Sequence, residues 1–210
     1  SGVSINAQNV SPGDLFIAFA GATTHGISYL EQAIANGAVA VLSDQTVQAA
    51  IPTFTHPQPR SLVGPISSWL YAKPFESLTA LGVTGTNGKT STVELTAAML
   101  QAGGVSAVAC GNVGTTVIES VESLEDYQFL VIELSSFQLH WMEDASFIAA
   151  AILNIAQDHI DWHGSFDAYA GDKISIVDRA TTAILNGEDG EIVTRVAHWQ
   201  GQKVFFSLDT

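Results

Sequence analysis

The run Leu81-Gly82-Val83-Thr84-Gly85-Thr86-Asn87-Gly88-Lys89-Thr90 constrains this chain more than any other. An apolar stretch leads into spaced glycines, then a lysine and a hydroxyl, then a segment of helical composition. That order builds a phosphate-binding loop between a strand and a helix. Gly85 and Gly88, with Thr86 and Asn87 between them, let backbone N–H groups close on phosphate oxygens, and the helix N-terminus adds partial positive charge. Lys89 brings a full charge, and the Thr90 hydroxyl suits a nucleotide-bound Mg²⁺. Val83 stands where the strict phosphate-loop pattern has its first glycine, so this loop is a shorter variant. A plain strand-to-helix turn could carry Gly-Lys-Thr by chance, but the strand–loop–helix context weighs against it.

Composition narrows the ligand. The 210 residues have 47% hydrophobic content, which is enough for a well-buried core. The formal net charge is −14, with only seven Lys and Arg, so no basic surface is available to replace nucleic-acid counterions. Anionic ligands must then be held by backbone N–H groups, by Mg²⁺ and by a few placed cations, of which Lys89 is the foremost. No apolar run is long enough to cross a bilayer, no secretory leader pattern opens the sequence, and Cys110 is the single cysteine. A cytoplasmic, monomeric protein with no membrane or nucleic-acid partner is expected.

Two α/β domains are expected. Residues 1–76 read as a small unit with strands at 14–19, 38–42 and 53–56, helices at 27–35 and 61–71, and a boundary at Lys73-Pro74-Phe75. Pro65 should kink the second helix or mark its start. Residues 77–210 read as a doubly wound parallel sheet. Strands are expected at 78–83, 106–110, 129–134, 149–155, 182–185 and 204–207, and helices at 89–102, 115–123, 166–179 and 188–199. Continuously apolar strands fit a sheet covered by helices on both faces. Ligands of such sheets bind beyond the strand C-termini.

Three more clusters fall at those strand ends. Gly111-Asn112-Val113-Gly114 offers a tight turn and an amide, and a structural turn is as good a reading as a ligand contact. Glu133-Leu134-Ser135-Ser136-Phe137-Gln138 places a carboxylate where Mg²⁺ would sit and polar groups where a substrate would lie. Its serines could equally cap a helix. Asn154 to Ser165 combines carboxylates, an indole, His159 and His163. The two histidines would share a face if this segment were helical, but no third ligand lies at zinc-like spacing.

Taken in order, Thr84–Thr90, Glu133–Gln138 and Leu153–Asp161 resemble the muramyl ligases, ATP-dependent amide-forming enzymes of peptidoglycan precursor synthesis. The Glu-Leu-Ser-Ser-Phe-Gln run looks most like the branch that adds D-glutamate to UDP-N-acetylmuramoyl-L-alanine. Asp158–Ser165, followed by Tyr169 and Lys173, is similar to its actinobacterial forms. The resemblance implies that Lys89 and the loop backbone hold the ATP phosphates and that Thr90 and Glu133 bind one Mg²⁺. It implies that His159 and Lys173 serve a second Mg²⁺, Lys173 as the lysine that becomes carbamylated. Asn112, Ser135 and Gln138 match positions that meet the sugar nucleotide. Without the resemblance, Lys173 would read as an ordinary solvated helix lysine.

Two departures accompany the resemblance. Residues 10–18, 25–26 and 36–42 look more like the first domain of the branches adding the third residue or the terminal dipeptide. There an Asp-Ser-Arg stretch helps hold the uridine, whereas Asn6-Ala7-Gln8 stands here. Nor does any part resemble the family's C-terminal amino-acid-binding domain, and the central domain is expected to lack its last strands, so the chain alone is expected to be inactive. Alternatives are the third-residue ligase and a non-catalytic binding fragment. A simple phosphate-loop hydrolase or kinase would leave 111–114 and 158–164 unexplained.

Overall fold

The structure is a computed structural model that describes residues 2–21, 23–71, 78–123 and 125–208. The chain divides into two compact units, Ser1–Lys73 and Pro74–Thr210. The expected boundary at Lys73-Pro74-Phe75 lies outside the described residues.

In the first unit, strands β1 (Val3–Ser4), β2 (Leu15–Ala18), β3 (Ala40–Ser43) and β4 (Thr53–Thr55) form a parallel sheet in chain order. Helix α1 (Leu30–Ala35) follows a 3-10 turn at Gly26–Tyr29 and packs Leu30 and Ala33 beside Phe16 and Val41. Helix α2 (Val63–Leu70) holds Pro65 as its third residue. A first-turn N–H has no partner within the helix, so the proline costs the helix no hydrogen bond there. The short β1 was not legible in the sequence, since two residues are too few to show a period.

The second unit is a six-stranded, wholly parallel sheet of β5 (Thr79–Thr84), β6 (Ala107–Gly111), β7 (Phe129–Glu133), β8 (Phe147–Ile152), β9 (Ala180–Asn186) and β10 (Gln202–Phe206). Their order is β10-β9-β8-β5-β7-β6. The chain runs from β5 outward to β6, returns to β7, then crosses to β8 on the other side of β5. Strand order therefore reverses at β5, and such a reversal opens a ligand crevice at the strand C-termini. Leu130, Ile132, Ala150, Ile152, Ala183 and Leu185 form the centre of the main core.

Helices α3 (Lys89–Ala102), α4 (Val117–Glu122), α5 (Ser136–His140), α6 (Ile160–His163), α7 (Phe166–Ile174) and α8 (Gly190–Arg195) complete the unit. Three expected elements change in instructive ways. β8 stops at Ile152 instead of running to 155, because Leu153 and Asn154 turn their backbone toward the phosphate loop: Leu153 N–H bonds Thr84 O at 3.0 Å, and Thr86 N–H bonds Asn154 O at 2.9 Å. The helix expected over 166–179 tightens after Ile174 into a 3-10 turn, Ser175–Arg179, that buries the adjacent Ile176 and Val177. The helix expected over 188–199 shortens to α8, begun by Asp189, whose carboxylate accepts the N–H groups of Glu191 and Ile192. No helix among the described residues is long and apolar enough to cross a membrane.

Candidate active site

β5 delivers the chain to the phosphate loop between its two neighbours, β7 and β8. Gly88 turns the loop into α3 with φ 82°, a backbone state that favours glycine. The first-turn N–H groups of α3 have no partner within the helix and point toward the loop. The Lys89 amine folds back over the loop, bonding the carbonyls of Gly85 at 3.0 Å and Thr86 at 3.1 Å. A phosphate entering the loop would meet both this cation and the free end of the helix.

β7 supplies the carboxylate. Glu133 ends that strand, and only 1% of it is exposed. Thr90 Oγ1 donates to its Oε2 at 2.8 Å, and Asn112 Nδ2 donates to its Oε1 at 3.3 Å. Asn112 also anchors its backbone on Glu133, N–H to O at 2.9 Å. Such proximity requires Gly111: its φ is 115°, and a Cβ there would stand 2.4 Å from Glu133 O. Thr90 and Glu133 thus present hydroxyl and carboxylate oxygens together, a donor set that fits a hard cation such as Mg²⁺.

The loop after β8 and helix α7 close the other side. Asn87 and Asn154 form a reciprocal pair, Asn87 N–H to Asn154 Oδ1 at 2.8 Å and Asn154 Nδ2 to Asn87 O at 3.1 Å. Thr86 Oγ1 accepts Ala156 N–H at 2.9 Å and lies 3.0 Å from the Tyr169 hydroxyl. Burial raises the Tyr169 phenol's pKa, with the Thr86 bond opposing.

Lys173, on the last turn of α7, is only 2% exposed. Its amine donates to Gly85 O at 2.8 Å and sits 5.0 Å over the Tyr169 ring. Burial and then the nearby Lys89 charge push it down to about 8, with Asp158 opposing. The structure therefore corrects the plain reading of Lys173 as a solvated helix lysine: the lysine is buried against the phosphate loop.

His159 and His163 lie one turn apart, His163 N–H bonding His159 O at 3.1 Å, and both rings meet Phe137, at centroid distances of 4.9 and 5.5 Å, but they differ in exposure. His159 precedes α6 with φ 50°. Its half-exposed ring lies 3.4 Å from Asp158 Oδ2. The His163 side chain is 1% exposed and turns inward. Among the described residues no group of three or more His, Cys, Asp or Glu could hold a metal ion. As they stand, His159 and Lys173 offer a nitrogen and a cation to any second metal, so the second Mg²⁺ set does not fit until the lysine is converted to an oxygen ligand.

Ser135 caps α5 and forms a capping box with Gln138, each side chain receiving the other's backbone N–H. These two residues therefore begin a helix, the alternative that the sequence left open for the serines. Asn154 and Tyr169, named among the sequence clusters, join the site's framework through Asn87 and Thr86, whereas Asp172 belongs to it without any local signal in the sequence.

A parallel sheet with a phosphate-binding loop at its reversal point, a buried carboxylate beside the loop and a buried lysine beneath it defines a phosphate-loop α/β protein. The family description "Mur ligase middle domain" matches residues 83–210, and "Mur ligase family, catalytic domain" matches residues 1–63. The chain belongs to the Mur ligase family. It is 48% identical over 130 residues to the UDP-N-acetylmuramoylalanine--D-glutamate ligase of Frankia casuarinae, covering 61% of this chain and 28% of that protein. It is 57% identical over 93 residues to the enzyme of that name from Mycolicibacterium vanbaalenii, covering 44% and 19%. Among solved structures, a UDP-N-acetylmuramoyl-L-alanyl-D-glutamate--2,6-diaminopimelate ligase superposes with a TM-score of 0.79 at 25% identity over 100% of this chain and 48% of its own. MurF ligase from Thermotoga maritima in complex with ADP gives 0.75 at 21%, over 100% and 51%. The chain thus spans about half the length of these solved relatives and less of the curated ones.

Proposed function

We propose that this chain carries the N-terminal and central parts of an ATP-dependent amide ligase of peptidoglycan precursor synthesis, one that adds D-glutamate to UDP-N-acetylmuramoyl-L-alanine. Residues 1–76 would take the UDP-sugar and residues 77–210 the ATP. The observation that carries the reading is the convergence of Lys89, Glu133 and buried Lys173 on one phosphate loop. The names of the relatives at 42–57% identity support D-glutamate as the added residue.

In the proposed reaction the substrate carboxylate attacks the γ-phosphorus of ATP, the bond to ADP breaks, and an acyl phosphate forms. The amine of D-glutamate then attacks the acyl carbon, phosphate leaves, and the amine proton is lost to solvent. Lys89 and the α3 N-terminus would offset charge on the transferring phosphoryl group. Mg²⁺, when bound at Thr90 and Glu133, supplies further charge neutralisation. Lys173 would gain CO₂ on its neutral amine, giving a carbamate and one proton. A pKa of about 8 leaves roughly a tenth of the amine neutral at pH 7, against well under a thousandth for an ordinary lysine. Asn112, Ser135 and Gln138 would face the sugar nucleotide.

Two observations favour the third-residue ligase instead. The first unit's sequence resembles that branch, and a diaminopimelate-adding structure aligns with the whole chain. Calorimetry on this 210-residue chain separates the two. The proposal expects UDP-N-acetylmuramoyl-L-alanine to bind about tenfold tighter than its D-glutamyl product, and more tightly than the sugar nucleotide lacking alanine. Preference for the D-glutamyl form would hand the chain to the third-residue branch. Binding of neither would overturn the acceptor-site assignment.

A further inference from the structure

Ser136, His163 and Asp172 stand in line. His163 Nδ1 lies 2.9 Å from Asp172 Oδ2, and its Nε2 lies 3.0 Å from Ser136 Oγ. The order is that of a nucleophile, a base and an orienting carboxylate. Burial rules out that chemistry, because Ser136 is 2% exposed and the His163 side chain 1%, so no substrate carbonyl reaches the hydroxyl. What the line does is join three helices. Ser136 opens α5, His163 ends α6, and Asp172 lies on α7 next to Lys173. Asp172 also receives His140 Nδ1, from the last turn of α5, at 3.0 Å.

The ring itself has little freedom. Phe137 stacks on it with centroids 5.5 Å apart and planes 19° apart, while Trp162 and Tyr169 meet it edge-on at 4.5 and 5.3 Å. Successive residues of a helix leave its axis about 100° apart, so the direction of Asp172 sets the direction of Lys173. An imidazole fixed by packing and hydrogen-bonded to Asp172 therefore fixes the rotation of the last turn of α7. That turn carries the lysine amine onto Gly85 O.

We infer that His163 is a positioning residue whose bond to Asp172 holds Lys173 against the phosphate loop. The functional meaning of that position rests on the ligase reading above, but the brace can be tested without it. Asparagine places its amide nitrogen where Nδ1 of histidine lies, and glutamine places its own where Nε2 lies. His163→Asn keeps the bond to Asp172 and loses the one to Ser136, and His163→Gln does the reverse. The readout is acetylation of each lysine by an N-hydroxysuccinimide ester, mapped by mass spectrometry on the full chain. Lys203 is the internal standard, and thermal unfolding is followed in parallel.

Native Lys173 should be protected, and His163→Asn should stay within about threefold of it. His163→Gln should raise Lys173 labelling about tenfold or more, the scale on which losing a charged hydrogen bond raises local opening. Asp172→Ala should match His163→Gln, and it replaces that variant should His163→Gln fail to fold. Equal labelling in all proteins would overturn the inference. So would a parallel rise in the Asn and Gln variants that follows their unfolding temperatures. Binding of a non-hydrolysable ATP analogue by the native chain is measured alongside: its failure would sink the ligase reading and leave the labelling result standing.

Discussion

Glu133 shows how one side chain can be unfavourable for folding and useful for binding. Its carboxylate is almost wholly buried, and its recorded partners are a hydroxyl and an amide, both neutral. Burying a carboxylate without a cation costs stability, and the cost is recovered when a cation binds. Replacing it by glutamine keeps an acceptor for Thr90 and removes the charge. Glu133→Gln should leave the free protein as stable as before, or more stable by about 1 kcal/mol. Its affinity for an ATP analogue in the presence of Mg²⁺ should drop by an order of magnitude or more. Urea unfolding and calorimetry check the two halves, and a loss of stability with unchanged Mg²⁺-nucleotide binding would contradict both.

Among the elements, α5 combines two duties in five residues. Ser135 and Gln138 make the capping box that starts it, and Ser136 and His140 tie it toward α6 and α7. A capping box accepts glutamate as readily as glutamine at its third position. Gln138→Glu should therefore change unfolding free energy by no more than about 0.5 kcal/mol. If Gln138 also faces the anionic sugar nucleotide, the same change should weaken binding of UDP-N-acetylmuramoyl-L-alanine about tenfold by like-charge repulsion. Unchanged binding would confine Gln138 to its capping role. For the serines the sequence offered both readings, because a helix start and a ligand contact use the same residues, whereas the capping role of Gln138 came only with the structure.

At the scale of the whole molecule, buried Lys173 makes global stability depend on pH. Its folded pKa of about 8 lies below the ordinary lysine value of 10.5. Between those values the unfolded chain binds more protons than the folded one, so stability rises with pH across that window. Below pH 8 the penalty is full, roughly 3 kcal/mol for such a shift, and above 10.5 it is gone. Lys173→Met removes the amine and leaves Tyr169 and Cys110, whose raised pKa values act at similar pH, in both proteins. In CO₂-free buffer, the stability of the native chain relative to Lys173→Met should therefore climb between pH 8 and 10.5. A flat difference would mean that the lysine is not buried as a free amine.

Local chemistry determined the phosphate loop, the six strands of the second sheet and the whole of α3, because glycine spacing, apolar runs and a long helix each leave a mark on consecutive residues. The carboxylate at the end of β7 was legible for the same reason: a charge closing a run of apolar residues stands out. The ends of β8 and of the 166–179 helix were not legible. Both are set by partners far along the chain, Leu153 and Asn154 bonding the phosphate loop and Ile176 and Val177 turning into the sheet. Only the tertiary structure decided that Lys173 is buried, that His163 turns inward while His159 does not, and that Asp172 gathers two imidazoles. Those facts depend on desolvation and on hydrogen bonds between residues as many as 88 positions apart, and spacing along a sequence carries no record of them.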